Sequence, residues 1–212
     1  IALGDTAMGG SLVTGNDNVA IGRIAMDAIL AGHSNIAIGA LAMTLSTTGN
    51  QNIAIGHTAL GNAVTTGYNN IAIGEVAGQV LTCGACNIAI GMSALGTSAA
   101  GCFNIGIGYR ALGLANTTGS DNIAIGQTAM DALIGGACNI ALGINALGAA
   151  TTGVLNIAIG RQALGAGVTT GGCNIAIGDC TMDALTSGGH NIGLGEHALS
   201  ALTIGLKNVA IG

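Results

Sequence analysis

The chain has no tryptophan and no proline, and only one phenylalanine and two tyrosines in 212 residues. A core of large aromatic side chains is therefore excluded, and any core must be thin and made of Ile, Leu, Met and Ala. Charge is scarce as well, at 6% of residues against about a quarter in an ordinary globular domain. The four basic residues, Arg23, Arg110, Arg161 and Lys207, lie scattered along a chain of formal net charge −5. Neutralising phosphates takes clusters of Lys and Arg, which argues against nucleic acid as a partner. Long apolar runs are also missing. Half of the residues are apolar, yet Gly, Asn or Thr breaks each run well before the ~20 residues of a membrane helix, so no membrane insertion is expected.

Glycine, by contrast, is abundant at 39 residues, and it recurs at fixed intervals within the motif G-x-x-N-[IV]-[AG]-[IL]-G. The Asn of this motif falls at Asn18, Asn35, Asn52, Asn70, Asn87, Asn104, Asn122, Asn139, Asn156, Asn174, Asn191 and Asn208. The spacings run 17, 17, 18 and then repeat, so a unit of 52 residues and three turns overlies the short one. Its first turn carries Met26-Asp27-Ala28, Met130-Asp131-Ala132 and Met182-Asp183-Ala184. Its longer turn carries Thr65-Thr66-Gly67, Thr117-Thr118-Gly119 and Thr169-Thr170-Gly171.

A fixed period of this length marks a solenoid. Ile-Ala-Ile alternates with period two between an Asn and a Gly, the pattern of a short strand bounded by turns. Thr58-Ala59-Leu60 and its equivalents read as a second short segment. The predicted fold is all-β: a parallel β-solenoid, or β-roll, of about twelve coils with two or three strands each, forming one domain over residues 1–212. Stacking at the usual ~4.8 Å would give a rod roughly 58 Å long. Because the chain opens at Ile1 and both ends keep the repeat, it is expected to be part of a longer fibre, or to stack end to end.

Each column has a physical expectation. The Asn column is a candidate ladder, each amide bonding its neighbour one coil away. The two Ile columns and a Leu/Met column (Leu60, Leu95, Leu112, Met130) are expected to form the dry core. Between the Ile residues stands Ala in eleven of thirteen copies and Gly in the other two: Ala20, Ala37, Ala54, Ala72, Ala89, Gly106, Ala124, Ala141, Ala158, Ala176, Gly193 and Ala210 follow the twelve ladder positions. Such restriction implies a close contact on that face. A strand buried on both sides needs either another chain against it or a very narrow coil, and both readings stand. The first predicts a homo-oligomer, three chains about an axis or rods packed side by side.

Asn35-Ile36-Ala37-Ile38-Gly39, with a following Ala-Leu and a later Thr-Thr-Gly-x-x-Asn, resembles the head repeats of YadA-like trimeric autotransporter adhesins and the related repeats of phage tail fibres. The resemblance covers the whole chain. It implies a trimeric parallel β-roll on a cell or virion surface, acting as an extracellular spacer or adhesin.

Little points to catalysis, and no enzyme, metal or cofactor is expected. Ile21-Gly22-Arg23-Ile24-Ala25-Met26 fits the hexapeptide of acyltransferase β-helices, but those need three hexads per 18-residue turn and here one matches. His33, His57, His190 and His197 have no accompanying carboxylate cluster and read as exposed corner residues. Asp27, Asp131 and Asp183 are separated by whole coils and read as solvated charges. Cys83-x-x-Cys86 has no second pair, which is weak for zinc. Cys86, Cys138 and Cys173 each precede a ladder Asn. Cys86 and Cys138 lie three coils, about 14 Å, apart, too far to bridge within the chain. They are either small buried hydrophobes or candidates for intermolecular disulfides. The expected function is a structural or adhesive fibre segment. The alternative is an ice- or surface-binding solenoid, against which the Thr-Thr pairs are expected to form no continuous Thr face.

Overall fold

The computed structural model describes residues 1–10 and 13–212. It is all-β: thirteen short parallel strands form one sheet in strict sequence order, from β1 (Ala2–Leu3) and β2 (Val19–Ile21) through β7 (Ile105–Ile107) to β12 (Ile192–Leu194) and β13 (Val209–Ile211). Each strand pairs with the next in the register of the repeat, for example Ile157 with Ile175 and Ala158 with Ala176. The chain is thus a β-solenoid of about twelve coils.

Each coil contributes one strand, of three residues in all but β1, and not two or three strands. The segment read as a second strand, Thr58-Ala59-Leu60, is a turn in which Thr58 (φ 57°) and Leu60 (φ 49°) are left-handed. The Thr58 N–H donates back to Ala40 O at 3.0 Å, and the Leu60 N–H donates forward to Ala77 O at 3.0 Å. The coil is tied to both neighbours without extended backbone. Left-handed conformations cost L-residues about 1–2 kcal/mol each, and the coil adopts them again at the residue before each ladder Asn, such as Gln51. The stacked hydrogen bonds and buried side chains offset that cost.

The strand also faces the other way from the expectation. Its central Ala or Gly points into the coil and is fully or almost fully buried from Ala20 to Gly193, while the flanking Ile residues point outward and stay partly exposed. The reason is width. Ala111 and Leu95 already fill the space opposite Gly106, where an added Cβ would lie 3.0 Å from Ala111 O and 3.4 Å from Leu95 Cγ. Only Ala or Gly fits there, so the wider Ile must turn out. The interior is instead filled by Met26, Met43, Leu60, Leu95, Leu112, Met130, Leu147, Leu164 and Met182, and by the Ala before each of them except Met182, which follows the buried Thr181. Gly78 interrupts this column.

The 52-residue unit follows from a second inward position. It is occupied in rotation by Ile or Leu (Ile29, Leu81, Leu133, Leu185), by Ser or Ala (Ser46, Ser98, Ala150) and by Thr (Thr65, Thr117, Thr169), all buried. Large and small side chains alternate so that neighbouring coils interlock. In the 18-residue coil the first Thr of Thr-Thr-Gly turns inward, and its hydroxyl donates to the next coil's backbone: Thr65 to Leu81 O at 3.0 Å, Thr117 to Leu133 O at 2.8 Å. The Asp of Met-Asp-Ala lies beneath the bulge of that longer coil, where Asp131 O accepts from the N–H groups of Leu114 and Ala115 at 3.2 and 3.1 Å. Gly74 (φ 134°) shows why each strand ends at glycine: a Cβ there would lie 2.7 Å from the backbone of Gly91 in the next coil.

Candidate functional site

Three columns meet at the strand edge and define the surface. The asparagines stack along one buried corner from Asn18 to Asn208. The Asn35 N–H and Nδ2 both donate to Asn18 Oδ1, at 2.9 and 3.1 Å, and Nδ2 donates again to Gly49 O at 2.7 Å. Asn52 then treats Asn35 the same way, and so does each later rung, except that Asn104 reaches Asn87 through its backbone N–H alone. A carboxamide has two donor hydrogens and an oxygen that accepts two bonds, and most rungs use all four. The ladder holds the strand flat and in register, and it leaves no polar group on the face beyond.

That face carries the two outward Ile columns. On ordinary strand spacing and rise it is about 58 Å long and 10 Å wide, on the order of 600 Å². Its positions are Ile, Leu or Val throughout, with no polar or charged residue. Exposure is substantial: Ile125 is 39% and Ile177 40% exposed. A contiguous apolar patch of this size stands at the upper end of what monomeric proteins expose.

The residues singled out for chemistry do not converge. Among the described residues no group of His, Cys, Asp and Glu is placed to hold a metal, and no pocket forms. His33 Nδ1 accepts from the Asn16 N–H at 3.0 Å, so it is part of an outer backbone ladder. His57 Nδ1 lies 3.1 Å from Thr58 Oγ1, and His197 stands 3.9 Å from Glu196. All six cysteines are free thiols; Cys138 is exposed, Cys86 and Cys173 half-buried, and Cys180 buried. Burial and the neighbouring Asp179 carboxylate push the Cys180 thiol above its ordinary value. The Arg161 guanidinium, 2.6 Å from Asp179, holds that carboxyl below the usual range. Asp131 is not a solvated charge. Its carboxylate is mostly buried 3.8 Å from Arg110, one oxygen has no partner, and burial raises its pKa despite that arginine.

The threonines are more aligned than the Thr-Thr pairs alone indicate, though their column is interrupted. Thr14, Thr47, Thr66, Thr82, Thr118, Thr151, Thr170, Thr186 and Thr203 form one outer column broken only by Leu30, Ala99 and Ile134, linked by bonds such as Thr82 N–H to Ala99 O at 2.9 Å. It is easily missed in sequence because the 18-residue coil shifts the spacing.

Comparison with family models, curated proteins and solved structures returned no match.

Proposed function

We propose that the chain is a structural segment of a surface fibre, and that it works by associating with copies of itself through the isoleucine face. The observation that carries this reading is the face itself, two uninterrupted aliphatic columns exposed along a rod with no pocket. Ridges repeating at one strand spacing fit best against another surface with the same period, and a second copy supplies it. With its flanking rims the face approaches the roughly 800 Å² per partner of a standard interface. The inward Ala column cannot supply this contact, because its side chains are covered by their own coil. A spacer or adhesive role at a cell or virion surface agrees with the resemblance of the repeats. Sedimentation of the native chain tests the reading: assembly is expected, and a single-chain mass at micromolar concentration would overturn it.

The Thr column favours a second reading, binding to ice or another regular surface. It is the weaker one. Thr66, Thr82, Thr118, Thr170 and Thr186 donate their hydroxyl hydrogens to the next coil's carbonyls at 2.9–3.3 Å and so turn them away from solvent. A thermal-hysteresis assay separates the two.

A further inference from the structure

We propose that the two rims of the isoleucine face are contact strips between copies of this chain, and that they hold neighbouring chains parallel and in coil register. The proposal rests on the self-association reading above. Each coil carries one rim residue just before the ladder Asn and another just after the corner Gly, six positions on. The three-residue strand between them spans about 10 Å on its own, so the two stand at its opposite ends and do not meet within their own coil.

They nevertheless match in character in most coils. Asp17 shares a coil with Arg23, and His190 with Glu196. Phe103, the only phenylalanine, shares one with Tyr109, one of two tyrosines. Cys86 goes with Met92, and Cys138 with Ile144, while Ser34 and Ala40 are both small. No coil sets like charges on its two rims. The apolar members are not tucked away: Phe103 is 57% and Tyr109 46% exposed. Two coils do not match, Leu155 with Arg161 and Cys173 with Asp179. In those two the residues after the Gly already bond each other along the rim, Arg161 to Asp179 at 2.6 Å.

Symmetry explains why matching across the face matters. With a rotation axis parallel to the rod, one chain's rim before the Asn meets the next chain's rim after the Gly at the same level, because a twofold reverses the strand direction and a threefold passes the same head-to-tail contact around the ring. Dimers and trimers both satisfy this. Antiparallel rods would set each rim against itself, and the matching within coils would then serve no contact. In the parallel arrangement Cys86 and Cys138 pack on Met92 and Ile144 of a neighbouring copy. Symmetry-related thiols stand apart across the face, so Cys86, Cys138 and Cys173 form no disulfides there.

The test co-expresses two single variants, Ser34→Cys and Ala40→Cys, and oxidises the assembled protein with dioxygen. Linkage is read on non-reducing gels, peptide mapping identifies the bridge, and sedimentation is run on the same samples. The proposal expects the S34C chain to link to the A40C chain, neither variant to form such a bridge alone, and the one-coil-offset combination of S34C with H57C to link at least tenfold less. Self-linking of S34C, or equal linking to H57C, would overturn it. An assembled mass with no S34C–A40C link would overturn the register proposal alone, whereas a single-chain mass would overturn the self-association reading with it. As a check independent of cysteine, Asp17→Arg or Arg23→Asp should weaken association roughly 3- to 10-fold, the range for exposed ion pairs repeated around an axis. The double swap D17R/R23D should restore it, and failure to restore would count against the contact.

Discussion

A ladder asparagine is worth more than its single side chain because each rung serves three coils. Asn122 accepts at Oδ1 from the N–H and Nδ2 of Asn139 at 3.0 Å, and donates through Nδ2 to Asn104 Oδ1 and Gly136 O at 3.1 and 2.9 Å. Asn122→Leu fills the volume but leaves the buried Asn139 N–H and Gly136 O unpartnered. The expected loss is roughly 2–5 kcal/mol, read as a lower denaturant midpoint; an unchanged midpoint would contradict the ladder. Asp131 works in the opposite direction. Its folded pKa is raised, so the folded chain binds this proton more readily than the unfolded one. The group favours folding most below the ordinary carboxylate pKa, and that advantage is lost as pH rises through the raised value. Asp131→Asn should therefore stabilise the fold at pH 7 by a few tenths to about 1 kcal/mol, read as a slightly higher melting temperature, with the gain shrinking as pH falls into the carboxylate range. A lower melting temperature at pH 7 would refute this assignment.

Within one coil, the strand decides what faces in, and here sequence reasoning reached only part of the answer. The period, the strand position, the Gly corners and the Asn column are all legible because identical residues recur in phase. Facing is not legible, because Ile-Ala-Ile alternates the same way whichever residue points inward. Hydrophobicity argued for Ile inside; the width of the coil overrules it, and width depends on the left-handed turn at Thr58 and Leu60, which Thr-Ala-Leu does not announce. The signal that could have found it was Gly106 and Gly193, since a position limited to Ala and Gly lies where space is smallest. Two substitutions separate the faces. Ala124→Leu or Ala158→Leu should cost the coil itself about 1–3 kcal/mol through overpacking, at any protein concentration. Ile73→Lys, on the outer column, should leave the chain's folding within about 0.5 kcal/mol. Equal effects on unfolding would mean the two faces are not distinct.

The whole rod is a scaffold for one long face. Stacking fixes the Ile columns at a constant rise, the ladder removes polar groups from their edge, and the turns keep the interior too narrow to take them back. We propose that this face is where copies of the chain meet. The most direct measurement is the mass in solution, by sedimentation across a range of dilutions, of the native chain and of the double variant Ile73→Lys/Ile125→Lys, with circular dichroism confirming that both are folded. An integral multiple of the chain mass is expected for the native protein and a folded single chain for the variant. A native protein that stays single at every concentration, or a double variant that assembles as before, would contradict it.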